Sequence, residues 1–225
     1  MSTPAKGLSL PNRIAIGLLL AAALIAGVVI ILSNLGSDEP EAADPAAART
    51  PVVRQDSHRL SQAPEEKAVL VEFLDFECEI CLEAYPLVED LTAEYGENLT
   101  VVARYFPLPG HPNSETSALA VEAAAQQGRF YEMHSLMYEK QPEWAHTPDS
   151  RADTFREYAL SLDLDMDAYD AAVADPATLE RVNRDKADGL ALDVEGTPTF
   201  FLEGRKIQPS SQAEFRSLIE TAIAD

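Results

Sequence analysis

Two cysteines, Cys78 and Cys81, are the only cysteines of the chain and form a Cys-Glu-Ile-Cys motif. They follow the apolar run Val69–Leu74, which is typical of a buried strand, and they begin a stretch with helical spacing. Cysteines three positions apart at a helix start can join their sulfurs, and the first lies at the positive end of the helix dipole. Because the thiolate is the nucleophile of thiol–disulfide exchange, this placement predicts a redox-active dithiol.

Two other uses of the motif are open from the residues alone. A structural zinc site needs about four ligands, and the histidines show no second ligand pair at finger-like spacing. A purely structural disulfide would close so short a loop that it would remove little entropy from the unfolded chain. We therefore predict no metal and no cofactor other than the dithiol, and we interpret His111 and His134 as surface or packing residues.

The composition is strongly acidic. The chain of 225 residues has 38 acidic and 17 basic side chains, which gives a net charge of −21. This length suits one substantial domain with an appendage. The charge argues against nucleic acid and anionic lipid surfaces as partners and indicates a solvated surface.

The uncharged segment Ile14–Leu32 has 19 residues, which is nearly enough for a helix to cross the roughly 30 Å hydrocarbon layer. Lys6 and Arg13 precede it and only acidic residues follow closely, so the positive-inside rule predicts a cytoplasmic segment 1–13 and a domain outside the cell membrane. A cleaved signal peptide is the alternative, since alanine-rich sequence follows. Either topology exposes the dithiol to an oxidising compartment.

Residues 33–50 are rich in Ala, Pro, Asp and Glu and predict a flexible acidic linker. The folded domain is predicted over residues 51–225, and Pro86 is expected to kink the helix that follows the cysteines. Strands are predicted at 51–54, 69–75, 99–106, 199–202 and 205–207. Helices are predicted from the cysteines to Tyr95 and at 114–127, 130–140, 151–161, 166–174, 178–190 and 213–222.

Further residues match one known pattern together with the cysteines. Glu72 lies six residues before Cys78, and Pro86 lies five residues after Cys81. The sequence Gly196–Thr199 (Gly-Thr-Pro-Thr) precedes a predicted strand. A helical block at about 112–190 separates the two halves of the pattern.

On these residues the chain resembles the thioredoxin-fold proteins, specifically the DsbA-like thiol–disulfide oxidoreductases and their membrane-anchored bacterial relatives. The resemblance implies an α/β thioredoxin fold with a helical insertion at about 112–190. One transmembrane helix, 14–32, is expected to precede this fold.

The motif chemistry and the resemblance suggest a role for each site residue. Cys78 is expected to be the attacking thiol and Cys81 the resolving one. The resemblance implies that Glu72 is buried and exchanges a proton with Cys81. It also implies a cis bond before Pro198 and a Thr197 backbone that pairs with an extended substrate segment.

The dipeptide between the cysteines departs from the family. Glu79-Ile80 is neither the Pro-His of DsbA nor the Gly-Pro of thioredoxin, so these two residues are expected to tune the redox potential. Acidic residues near Cys78 could also offset the helix dipole, which leaves the redox direction open. They are Asp75, Glu77, Glu79 and Glu83.

The resemblance implies that the protein forms disulfides in reduced exported polypeptides and is re-oxidised by a membrane partner. A disulfide reductase or isomerase is the first alternative. A non-catalytic thioredoxin-like module that binds exported proteins is the second.

Overall fold

The computed structural model describes residues 51–224, and the strands within that range form one five-stranded sheet. The strands are β1 (His58–Ser61), β2 (Ala68–Leu74), β3 (Leu99–Tyr105), β4 (Thr199–Leu202) and β5 (Arg205–Ile207). Their order across the sheet is β1-β3-β2-β4-β5. The central strands β2 and β3 are parallel, with Ala68 opposite Leu99, and the other neighbouring pairs are antiparallel.

Most of the helices form a block between β3 and β4, as predicted. One helix lies before this block, between β2 and β3, and another lies after it, following β5. Helix α1 (Glu79–Tyr95) carries the dithiol and contains Pro86. The block consists of α2 (Ser114–Ala125), α3 (Phe130–Glu139), α4 (Gln141–Trp144), α5 (Ala152–Ser161), α6 (Met166–Ala174) and α7 (Pro176–Ala191), and α8 (Gln212–Ala224) follows β5. The thioredoxin-like α/β fold with a helical insertion is thereby confirmed.

The two faces of β2 contribute to different apolar clusters. Leu70 and Leu74 belong to the larger cluster, which also contains both cysteines, whereas Val71 and Phe73 belong to a smaller one. Because side chains alternate along a strand, Glu72 lies on the same face as Leu70 and Leu74. The sheet therefore directs one carboxylate towards the core beneath the dithiol.

The strand predicted at 51–54 is wrong, because these residues adopt no regular structure. The buried Arg104 of β3 uses their backbone instead: its Nη1 donates to the carbonyl oxygens of Pro51 and Val52, at 3.2 and 2.9 Å. The same guanidinium binds Asp185 of α7, with its Nε 2.8 Å from Oδ1. The Arg104 side chain thus occupies backbone carbonyl oxygens that a neighbouring strand would otherwise use as acceptors. The first strand, β1, begins at His58 and was not predicted.

Within residues 51–224, no helix combines the length and the apolar character that a membrane span requires. The predicted cytoplasmic segment 1–13, the anchor 14–32 and the linker 33–50 lie outside the described residues. They stay predictions.

Candidate active site

The two cysteines occupy the first turn of α1. Cys78 is the residue that caps the helix, with an extended backbone (φ −77°, ψ 124°), and Cys81 lies one turn inside. Both are free thiols. Cys78 is 5% exposed and Cys81 is fully covered. The expected order of accessibility is therefore present, although Cys78 itself shows only a small surface.

The two thiols have very different acidities. A hydrogen bond from Cys81 is the largest influence that lowers the pKa of Cys78 to about 5, against the opposing effect of burial. Further hydrogen bonds from Thr197 and from the backbone of Ile80 and Cys81 act in the same direction. Burial raises the pKa of Cys81 well above its ordinary value, and the nearby Cys78 and Glu72 raise it further. Cys78 is therefore the thiolate of the pair at neutral pH.

The loop before β4 packs directly against Cys78. The Thr197–Pro198 peptide bond is cis, as predicted. Cys78 Sγ donates to the backbone oxygen of Thr197 at 3.3 Å when the thiol is protonated. The Thr197 hydroxyl is buried and makes no hydrogen bond of regular geometry with any of residues 51–224. The Thr197 side chain nevertheless lowers the pKa of Cys78, because a hydroxyl can donate to a thiolate whereas a carbonyl oxygen cannot.

Glu72 is buried, as the resemblance implied. Burial raises the pKa of Glu72 to about 8, with a smaller contribution from Cys78. Its charge in turn is one of the influences that raise the pKa of Cys81. The carboxyl group can therefore hold or release a proton near pH 7 next to the buried thiol.

Two of the acidic residues near Cys78 are buried and bind backbone rather than solvent. Asp75 accepts from the backbone of Glu77 and Leu108, at 2.8 and 2.9 Å, and from His111 Nδ1 at 2.7 Å. Glu77 accepts from the backbone of Asn113 at 2.6 Å. Hydrogen bonds rather than these carboxylates dominate the pKa of Cys78, so the predicted offset of the helix dipole is not the main effect.

The insertion holds the active-site turn by a residue that the sequence did not indicate. Gln141 of α4 is buried, and its Nε2 donates to the carbonyl oxygens of Phe76 and Cys78, at 2.8 and 3.0 Å. Glu77 makes a second link, because it also accepts from the backbone of His146 at 2.7 Å. The backbone on either side of Cys78 is therefore fixed from the helical insertion.

The dipeptide between the cysteines faces outward. Ile80 is exposed, and the Glu79 carboxylate lies 2.8 Å from His146 Nε2. A groove of about 660 Å³ begins at Ile80 and runs along Pro198 towards α8. Its apolar lining includes Leu87, Phe200 and Phe215.

The fold and this geometry together define a class. A dithiol at the start of a helix, with one acidic and one shielded thiol and a cis-proline loop against it, belongs to thioredoxin-fold thiol–disulfide oxidoreductases. The thioredoxin-fold part of the resemblance noted from the sequence is confirmed.

The family follows from comparison with known proteins. A family model described as Thioredoxin matches residues 61–221, so the chain belongs to the thioredoxin family. A thioredoxin-like oxidoreductase from Silicibacter pomeroyi DSS-3 has a similar structure, with a TM-score of 0.65 and 22% identity over 78% of this chain and 97% of that one. Wolbachia pipientis alpha-DsbA1 has a TM-score of 0.66 and 16% identity over 76% and 93%. Oxidised BdbD from Bacillus subtilis has a TM-score of 0.64 and 18% identity over 75% and 94%.

Curated relatives with higher identity have a different name and are much longer. The Na(+)/H(+) antiporter NhaA of Herminiimonas arsenicoxydans is 38% identical over 153 residues, which are 68% of this chain and 23% of that protein. The antiporter NhaA 3 of Salinispora tropica is 39% identical over 147 residues, or 64% and 22%. The chain thus spans less than a quarter of the length of these relatives.

Proposed function

We propose that this protein is an extracytoplasmic thiol oxidant that forms disulfides in exported polypeptides through Cys78 and Cys81. One feature supports the redox direction: Cys78 caps α1 and packs against Cys81 and Thr197, whose hydrogen bonds lower the pKa of Cys78 to about 5. A stabilised thiolate favours the reduced form of the protein, so the disulfide form readily accepts electrons from a substrate.

The size of this effect gives an expected redox potential. A thiol with a pKa near 5 rather than thioredoxin's 7 gains about 2.3 kcal/mol of thiolate stabilisation at pH 7. At about 30 mV for each 1.4 kcal/mol, this corresponds to about 50 mV. Starting from about −270 mV for thioredoxin, the expected potential is about −220 mV. Structural disulfides of secreted proteins have potentials below about −300 mV, so their formation is favourable.

The reaction proceeds by two exchanges. A substrate thiolate attacks Cys78 Sγ of the Cys78–Cys81 disulfide, the bond between the cysteines breaks, and Cys81 leaves as a thiolate. A second substrate thiolate then attacks the substrate sulfur of the mixed disulfide, which forms the substrate disulfide and releases the Cys78 thiolate. The low pKa of Cys78 makes it a good leaving group in this second step. Two electrons pass from the substrate to the protein.

Glu72 completes the proton balance. Cys81 has a raised pKa, so it requires a proton when it leaves. The neutral Glu72 carboxyl, with a pKa of about 8, can supply that proton within the core and recover it when the disulfide re-forms.

The groove beside Pro198 suits an extended polypeptide. It begins next to the active-site turn and combines an apolar lining with the polar residues Lys206 and Gln212. A substrate strand that lies along the cis-proline loop can pair with its backbone, while its cysteine reaches Cys78. If the domain lies outside the cell membrane, as the topology predicts, its substrates are reduced exported polypeptides. The proposal also includes a membrane partner that re-oxidises the dithiol.

Equilibration of the full chain with glutathione buffers tests the redox direction. We expect a potential near −220 mV and catalysed oxidation of a reduced model protein. A potential at or below about −270 mV, the value of thioredoxin, would favour the reductase alternative. Absence of any thiol turnover would favour the binding module.

A trapping experiment tests the order of attack. Exchange also runs in reverse, with the Cys78 thiolate attacking a substrate disulfide and displacing one substrate sulfur as a thiolate. Cys81→Ala should therefore accumulate mixed disulfides with exported cysteine-containing proteins that already contain a disulfide, and these adducts should dissociate on addition of a reductant. Cys78→Ala is the matched control and should trap few, because Cys81 is covered. Equal trapping by both variants contradicts the assignment of Cys78 as the nucleophile.

A further inference from the structure

A second group of chemically active side chains lies outside the dithiol. Glu79, His111 and His146 each offer one ligand atom, and these atoms lie within 4.8 Å of one another. The three residues come from separate segments: the start of α1, the loop between β3 and α2, and the loop after α4. The two imidazole rings stand edge to face, with centroids 5.4 Å apart. The fold thus brings together two histidines and one carboxylate.

Buried carboxylates orient this group from beneath. Asp75 Oδ2 lies 2.7 Å from His111 Nδ1, so Nε2 is the nitrogen left for a ligand. A carboxylate behind a histidine is the usual outer partner of a metal-binding imidazole, because it fixes the tautomer and the ring orientation. Glu77 accepts from the backbone of His146 at 2.7 Å and thereby fixes the loop that carries the second histidine. The group is therefore held in place before any ion binds.

The ligand set points to a particular kind of ion. Two imidazoles and one carboxylate are a known zinc ligand set in open sites, where a fourth position is left for water or another molecule. Ligand atoms around tetrahedral zinc lie about 3.4 Å apart, given bonds of about 2.0–2.1 Å. The Glu79 and His146 side chains are 62% and 40% exposed, so both have room to close the remaining distance. Binding of Mg²⁺ or Ca²⁺ is disfavoured because two of the three ligands are imidazole nitrogens, whereas these ions prefer oxygen ligands.

We propose that Glu79, His111 and His146 form a binding site for a divalent transition-metal ion, with Zn²⁺ as the reference ion. The strongly acidic chain favours the approach of a cation. Glu79 directly follows Cys78 in the sequence, but the site needs neither thiol as a ligand. It is thus a separate function, and it does not depend on the redox direction of the dithiol.

The test uses the full chain with the Cys78–Cys81 disulfide formed, so that no thiolate can bind the probe. Calorimetric titration with Zn²⁺ alone should show one ion per chain, and Mg²⁺ should show none. His146→Gln and Glu79→Gln should each weaken Zn²⁺ binding by at least the roughly 10–100-fold that loss of an outer-shell partner costs. Both side chains are more than a third exposed, so we expect the variants to retain the fold, which circular dichroism checks.

Two matched controls identify the site. His58 is paired with a carboxylate, Glu122, and is 18% exposed, as His111 is, but it lies outside the group; His58→Gln should leave Zn²⁺ affinity unchanged. Glu83→Gln is the control for Glu79, because Glu83 is also exposed near the start of α1.

A spectroscopic readout completes the test. Co²⁺, which can replace Zn²⁺, should broaden the imidazole resonances of His111 and His146 much more than those of His58 and His134. The proposal fails if Zn²⁺ does not bind at one ion per chain. It fails equally if His146→Gln and Glu79→Gln bind as the parent does, or if the controls lose affinity to the same extent.

Discussion

Replacing Cys81 by alanine removes the hydrogen-bond donor with the largest influence on the pKa of Cys78. A hydrogen bond to a charged group contributes about 1.5–3 kcal/mol, and each pKa unit corresponds to 1.36 kcal/mol. The loss should therefore raise the pKa of Cys78 by about 1–2 units, from about 5 to between about 6 and 7. The remaining donors, Thr197 and the helix backbone, should keep it below that of an ordinary thiol.

The pH dependence of the alkylation rate of the reduced variant measures this pKa. Only one thiol remains in Cys81→Ala, so the profile has a single midpoint, whereas the parent pair titrates as a coupled system. Cys81→Ser is the matched control, because its hydroxyl can still donate and should hold the pKa of Cys78 near 5. A midpoint that stays near 5 in Cys81→Ala would refute the reasoning and assign the acidity to the backbone. A midpoint near 9 would show that the other donors contribute nothing.

Three further variants test neighbouring parts of the site. Thr197→Val should raise the pKa of Cys78 by about 1–2 units through loss of the hydroxyl donor, whereas Thr197→Ser should not; the same alkylation profile reports it. The pKa of Glu72 is about 8 in the folded protein, against an ordinary value of 4.5. Between these pH values the folded state holds a proton that the unfolded state has lost, so the protein loses stability as the pH rises through this range. Glu72→Gln should therefore gain stability relative to the parent from about pH 4.5 to 8, by at most about 5 kcal/mol, in denaturant titrations of the disulfide form; a constant difference across this range contradicts a buried, protonated carboxyl. Glu77→Gln should destabilise the protein by about 1–3 kcal/mol, because the amide leaves one of the backbone donors of Asn113 and His146 without its acceptor, and unfolding curves equal to the parent's would contradict that linkage.

The elements that the sequence predicts well carry strong local signals. The apolar runs of β2 and β3 are long enough to identify buried strands, and α1 shows its period over four turns. By contrast, β1 is a short segment with polar residues at His58, Arg59 and Ser61, and its pairing with β3 defines it as a strand. Helix α4 has only four residues, so no periodicity can reveal it. The apolar residues at 51–54 suggested a strand because the sequence does not show that Arg104 takes their carbonyl oxygens.

The residues of the candidate site also differ in whether the sequence predicts their role. The dithiol, Pro198 and the burial of Glu72 follow from spacing and from the resemblance. Gln141 does not, because its contacts are made across more than 60 residues and its residue type is common on surfaces. The sequence predicts an effect of Glu77 through its charge, whereas its main contribution is as an acceptor of backbone hydrogen bonds from Asn113 and His146.

The contacts of Gln141 and Glu77 limit how this protein can be divided. A helical block inserted between two strands suggests that the block can be deleted, in evolution or in design, to leave a smaller thioredoxin-like domain. Here that excision would remove the donor for the carbonyl oxygens of Phe76 and Cys78 and both backbone donors to Glu77. The Phe76 carbonyl oxygen and the Glu77 carboxylate would then lose these partners, and the Cys78 carbonyl oxygen would keep only the backbone N–H of Leu82. The insertion is therefore a scaffold for the catalytic turn and not a separable module.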